Sequence, residues 1–233
     1  RPGFEHEPFS LLYQRSLYQS IRTAAGRTFQ LLEQRLGQLP VGSPQNLGVA
    51  DAAREVLAGR DRLADRLSGL LSAKISGMRI RTHGDYHLGQ VLYTGRDFVI
   101  LDFEGEPARP LSERRMKRSA LRDVAGMLRS FHYAACAAFF DEAGRGMVQG
   151  AALAALEGWL GLWERSVSAA FLRSYLERSR AGEAVYLPPA RQELALLLDV
   201  FLLEKAVYEL GYELNNRPGW VGIPLQGIRQ ILG

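Results

Sequence analysis

His83-Gly84-Asp85-Tyr86-His87-Leu88-Gly89-Gln90, followed by Val99-Ile100-Leu101-Asp102-Phe103-Glu104-Gly105, holds the densest run of polar residues in the chain. Just before it, Met78–Thr82 alternates like a strand. Gln90–Tyr93 and Asp97–Leu101 are short apolar runs joined by Thr94-Gly95-Arg96, which reads as a tight hairpin. Asp85 therefore sits on a loop between a strand and a hairpin. Gln90 follows it by five positions and Asp102 by seventeen. A hairpin returns the chain to its starting edge, so Asp85, Gln90 and Asp102 are expected to converge at one end. Val99–Leu101 is expected as a buried strand that delivers Asp102 to the site.

Phosphoryl transfer calls for such a set. One carboxylate orients an acceptor hydroxyl and takes its proton, while an amide oxygen and a second carboxylate hold Mg²⁺ on the nucleotide phosphates. Protein kinases use the same five-residue offset between the catalytic Asp and a metal-binding Asn, and their metal Asp opens D-F-G. Here Gln90 stands for the Asn, and Glu104 intrudes before the glycine. Asp85 is the expected base, with Gln90, Asp102 and Glu104 as metal ligands. ATP and Mg²⁺ are the expected cofactors.

Outward from this β-element the pattern is helical. Glu7–Leu36, Gly48–Ser72, Ser112–Glu142, Val148–Arg180, Pro189–Asn215 and Pro224–Leu232 carry apolar residues at helical spacing, with a turn-rich break at Pro40–Pro44. The expected class is α+β, mainly α-helical: a protein kinase-like C-terminal lobe whose small β-hairpin carries the catalytic loop. At 233 residues and 47% hydrophobic content the chain can bury a sizeable core. A formal charge of +4 with acidic residues interspersed gives no nucleic-acid signature. Lys74, Lys117 and Lys205 are the only lysines among 29 cationic residues. The single cysteine, Cys136, excludes an internal disulfide and is compatible with a reducing cytoplasm. The apolar runs are too short to span a bilayer.

The motifs H-G-D-Y-H-L-G-Q-V-L…I-L-D-F-E-G-E-P and L-R-D-V-A-G-M-L-R-S-F-H-Y-A-A resemble the aminoglycoside-phosphotransferase and choline-kinase superfamily. Within it they are similar to bacterial maltokinases, free or fused behind trehalose synthase. The likeness extends through E-K-A-V-Y-E-L-G-Y-E-L-N-N-R-P-G-W, covering about Met78 to Pro224. It implies phosphorylation of maltose to maltose 1-phosphate by ATP, with trehalose synthase as a fusion partner or complex. It also implies acceptor-sugar contacts from His87, Tyr208 and Tyr212, with Arg217 near the site or serving as an ion-pair anchor.

Other residues read as support. His83 is expected to hold the loop by hydrogen bonds, and Asp123 to anchor the loop's backbone amides. Glu204, Tyr208, Tyr212 and Asn215 fall on one helix face. Trp159 and Trp163 read as packing, and Arg114–Arg118 as a solvated helix face. No strand-borne lysine of an N-terminal nucleotide lobe precedes His83, and residue 1 is Arg. Residues 1–233 are thus expected to form the C-terminal lobe alone, inactive in isolation. A metal hydrolase using His83, Asp85, His87 and Asp102, an aminoglycoside- or choline-type kinase, and a non-catalytic regulatory module stay open as alternatives.

Overall fold

The computed structural model describes residues 4–40, 48–107, 109–145, 150–182 and 184–233. The expected break beyond Pro40 and the expected helix start at Val148 lie outside these residues. Among them the architecture is mainly helical with two small antiparallel sheets, an α+β arrangement.

Strand β1 (Glu7–Pro8) pairs with β2 (Met78–Arg79). Helix α1 (Leu11–Arg35) therefore starts four residues later than its apolar pattern suggests. Pro8 disfavours helical geometry at Glu7, and Ser10 accepts the Tyr13 N–H at 3.2 Å as the N-cap. Helix α1 buries Tyr13, Leu17, Ile21, Ala25, Phe29 and Leu32, a stripe of helical period. The single helix expected over Gly48–Ser72 is two, α2 (Val49–Ala58) and α3 (Arg60–Ser72), broken at Gly59. A side chain at Gly59 would crowd Leu232, so glycine lets the C-terminal helix approach there.

Strands β3 (Val91–Tyr93) and β4 (Phe98–Ile100) form the expected hairpin, with Val91 opposite Ile100 and Tyr93 opposite Phe98. Thr94 and Asp97 close its turn through backbone and hydroxyl hydrogen bonds, and Gly95 takes a left-handed φ of 89°. The strand expected to be buried is instead exposed: Phe98 is 66% accessible, and Val99, Ile100 and Leu101 are open too. No described element covers either face of this two-stranded ribbon.

Ser112–Glu142 also divides, into α4 (Leu111–Arg114) and α5 (Leu121–Arg145). Arg118 leaves helical geometry to exchange both backbone hydrogen bonds with Ile80, each 2.9 Å. The basic run thus straddles a helix end rather than forming one face. Helices α6 (Ala151–Ala181), α7 (Arg191–Asn216) and α8 (Gly222–Leu232) complete the chain. Helix α7 is the central element, burying Leu197, Phe201, Leu203, Leu210 and Leu214 among α1, α5 and α8. Helix α6 lies on the outside against α5. Trp163 meets Phe131 edge-on there, but Trp159 is 69% exposed, contrary to the packing role expected of it. Among the described residues no helix is long and apolar enough to cross a membrane.

Candidate active site

The loop after β2 is tied down from three directions. From the first turn of α5, Asp123 accepts the His83 N–H (2.6 Å) and the Gly84 N–H (2.9 Å) on its two carboxylate oxygens. From the hairpin, the Leu101 carbonyl lies 2.6 Å from His83 Nε2, while His83 Nδ1 accepts the Asp85 N–H at 3.3 Å. These partners assign the proton to Nε2. From further along α5, Ser130 Oγ accepts the Leu88 N–H at 3.1 Å. Gly84 has φ +90° with the Gly105 backbone against it, and Gly126 lets the Tyr86 carbonyl lie directly on α5. Burial raises the Asp123 pKa, against the lowering effect of the Gly84 and His83 amides.

Asp85 emerges from this frame between two cationic or protonatable side chains. Lys205 Nζ is 3.5 Å from its Oδ1, and His87 Nε2 is 3.7 Å from its Oδ2. Burial opposes ionisation of Asp85, yet His87 and Lys205 together outweigh it and hold the carboxyl at a pKa of about 2. His87 Nδ1 also accepts the Gly89 N–H, capping the short 3₁₀ turn Leu88–Gln90. That turn carries Gln90 to β3, where its side-chain amide donates to Asp102 Oδ2 at 3.0 Å. Asp102 has φ +56°, a left-handed conformation uncommon outside glycine and frequent where a side chain must be aimed.

A small polar pocket opens beside Asp85, lined among others by Glu106, Arg109, Arg122, Lys205 and Tyr208. At its floor, the largely buried Glu204 takes Arg122 (3.3 Å) and Arg109 (3.5 Å). Burial works against the Glu204 carboxylate, but Arg122 and Arg109 hold its pKa below the ordinary value. Arg122 also reaches the Gly84 carbonyl at 3.3 Å. The Tyr208 hydroxyl pairs with Glu106, and its pKa is raised by burial and then by that carboxylate. Of the helix face expected to meet an acceptor, Glu204 and Tyr208 line this pocket. Tyr212 lies a turn beyond Tyr208, about 6 Å along the axis, and is half exposed. Arg217 pairs through two nitrogens with Glu213 (2.9 and 2.6 Å) and lies over Tyr212 and Trp220.

The residues that sequence reasoning overlooked are Lys205 and Glu106. Lys205 stands three positions before Tyr208, hence on the same helix face, which was the available signal. The hydrolase alternative loses His83 as a ligand, because both its nitrogens are already committed. Among the described residues no group of three or more His, Cys, Asp or Glu is placed to hold a metal.

No family model matches the chain. Two curated relatives are both glucosamine kinases. That of Mycolicibacterium smegmatis is 29% identical over 181 residues, covering 76% of this chain and 41% of the relative. That of Streptacidiphilus jiangxiensis is 28% identical over 156 residues, covering 66% and 32%. Among solved structures, a glucosamine kinase in complex with glucosamine, ADP and inorganic phosphate superposes with a TM-score of 0.68 at 21% identity. It covers 97% of this chain and 49% of that one. A second crystal form gives a TM-score of 0.69 at 21% identity. The chain thus spans about half or less of the proteins it matches. These findings overturn the maltokinase resemblance: the relatives are sugar kinases of another family, and neither maltose nor a trehalose synthase fusion finds support in them. The chain shares its fold with about half of a glucosamine kinase.

Proposed function

We propose that this chain is the acceptor- and metal-binding lobe of an ATP-dependent sugar kinase of protein kinase-like fold, with a hexosamine of the glucosamine type as acceptor. The observation that carries this reading is Asp85: a carboxylate kept ionised on a triply anchored loop, beside a polar pocket, with Gln90 and Asp102 paired at the adjacent hairpin. The two glucosamine kinase relatives and the shared fold support the acceptor class. The open apolar hairpin, and relatives of which the chain spans about half or less, support a further lobe that seats there and shares the nucleotide.

In this reading the acceptor hydroxyl donates to Asp85 and its oxygen attacks the terminal phosphorus of ATP. The bond to the bridging oxygen breaks, ADP leaves with the electron pair, and the hydroxyl proton passes to Asp85. With a pKa near 2, Asp85 is a carboxylate at every working pH but a weak base, so its main contribution is to orient the hydroxyl. Gln90 and Asp102 are paired side chain to side chain, and a carboxylate with an amide beside it would suit Mg²⁺, an ion commonly held by one or two carboxylates plus substrate phosphates. When bound, it would neutralise charge on those phosphates; Glu104 is close enough in sequence to join through water. Glu106, Tyr208 and His87 offer the acceptor hydrogen-bond partners, with Tyr212 and Arg217 further along α7. His83 and Asp123 hold the loop.

The test is a panel of glucosamine, N-acetylglucosamine, glucose and an aminoglycoside offered with ATP and Mg²⁺ to the full-length protein carrying this chain. Phosphorylation of glucosamine in preference to the others is expected. Preference for the aminoglycoside would displace the acceptor class, and transfer to none would remove the kinase reading.

A further inference from the structure

The cations around Asp85 are unequally engaged. Arg122 and Arg109 are spent on Glu204, and Arg109 reaches Glu113 as well, at 3.3 Å. Lys205 is different. It follows Glu204 on α7, its ammonium lies 3.5 Å from Asp85 Oδ1, and it passes 5.2 Å from the centre of the Tyr208 ring. A charge-assisted hydrogen bond at its best is about 2.8 Å, so the Asp85 contact is loose. The side chain is 24% exposed and lines the pocket rather than filling the floor. It is also a lysine in a chain that otherwise relies on arginine: only Lys74, Lys117 and Lys205 depart from that habit. Lys117 is fastened to Glu7 at 3.0 Å. A lysine is a compact point charge on a flexible stem, suited to changing partners where a forked guanidinium would be held in place.

The proposed reaction has an electrostatic problem at this spot. The acceptor hydroxyl must lie between the Asp85 carboxylate and an incoming anionic phosphoryl group. Two like charges approaching one oxygen repel, and a preorganised cation beside both removes that repulsion where it matters. We infer that Lys205 is a catalytic residue: its ammonium, held on Asp85 in this structure, moves onto the oxygens of the phosphoryl group in transfer while the acceptor hydroxyl takes its place at Asp85. The inference rests on the phosphotransferase reading. Lys205 gives up no proton: the attacking oxygen gains the bond to phosphorus, the bridging oxygen keeps the electron pair, and Asp85 receives the hydroxyl proton. Its charge is what it contributes.

The experiment compares the full-length wild type with Lys205→Met, which keeps the stem, and Lys205→Arg, which keeps the charge. For Lys205→Met kcat should fall about 100-fold or more, with KM for acceptor and ATP within about threefold, as for an interaction made in the transition state. Lys205→Arg should recover at least about a tenth of the wild-type rate, because the charge survives. A binding readout separates this from mere positioning of Asp85. Wild type should bind ADP more tightly when aluminium fluoride supplies a phosphoryl mimic, and Lys205→Met should lose that gain while binding ADP alone as before. An active wild type whose Lys205→Met variant keeps kcat within about threefold, or keeps the fluoride gain, overturns this inference alone. A change confined to the acceptor KM makes Lys205 an acceptor ligand and overturns it too. A wild type that phosphorylates no sugar overturns the kinase reading and this inference together.

Discussion

Asp123 accepts the backbone N–H groups of both His83 and Gly84, at 2.6 and 2.9 Å, so the first turn of α5 and the loop bearing Asp85 move as one piece. Both hydrogen bonds are part-buried, and Asp85 is two residues beyond His83. Asp123→Ala should therefore act twice. Leaving the two part-buried amides unpaired is expected to lower stability by about 2–6 kcal/mol, from about 1–3 kcal/mol per unsatisfied group. Loss of loop geometry should cut kcat by about 100-fold. Urea unfolding and steady-state rates on the same preparation check both. A stable variant of normal rate would show that His83 and the hairpin suffice to hold the loop.

Helix packing supplies a second expectation. Arg129 on α5 is buried and pairs with Glu209 on α7 at 2.7–2.8 Å, and its guanidinium lies directly against Gly227 of α8. A methyl at Gly227 would collide with it. Gly227→Ala must separate the helices or break a buried ion pair, and the latter costs about 3–5 kcal/mol. The urea midpoint should drop accordingly, while the order of preference among acceptors stays the same.

His132 provides a pH-dependent signature. It is 5% exposed on α5, and burial with the nearby Arg129 charge pushes its pKa down from 6.5 to about 3. The folded chain thus keeps His132 neutral where the unfolded chain takes up a proton. Its contribution to stability is fully present above pH 6.5 and is lost progressively as pH falls towards about 3. Between pH 7 and pH 5 this amounts to about 2 kcal/mol for the one group. Unfolding midpoints of wild type and His132→Gln at the two pH values measure it; the variant should show the flatter dependence. Equal slopes would mean that His132 is solvated enough to titrate normally.

Helices α1 and α7 were legible because their buried residues repeat at helical spacing, and the hairpin because Thr94-Gly95-Arg96 interrupts two apolar runs. What was not legible depended on partners distant in sequence. Glu7 and Pro8 leave the helical pattern to pair with Met78 and Arg79, and Arg118 leaves it to pair with Ile80. Val99–Leu101 reads as buried by composition, yet nothing among the described residues covers it. At the site, Asp85, Gln90 and Asp102 lie within one local motif, so their spacing alone suggested a cluster. Lys205 and Glu106 reach Asp85 and Tyr208 only because α7 is laid across the loop. The acceptor misled for a related reason. In the proposed reaction H-G-D and D-F-E-G would handle a hydroxyl and phosphates, which kinases of unlike acceptors share, while the proposed acceptor contacts come from side chains on α7 and in the loops around the hairpin.

In the proposed reaction Asp85 orients an amino-sugar hydroxyl for transfer. The most direct measurement is the rate of ADP release by the full-length protein with glucosamine, ATP and Mg²⁺, wild type against Asp85→Asn. The amide keeps the size of the side chain but accepts no proton. A fall in kcat of about 10³-fold with ATP affinity unchanged is expected. An Asp85→Asn protein that turns over glucosamine within about tenfold of wild type would contradict it.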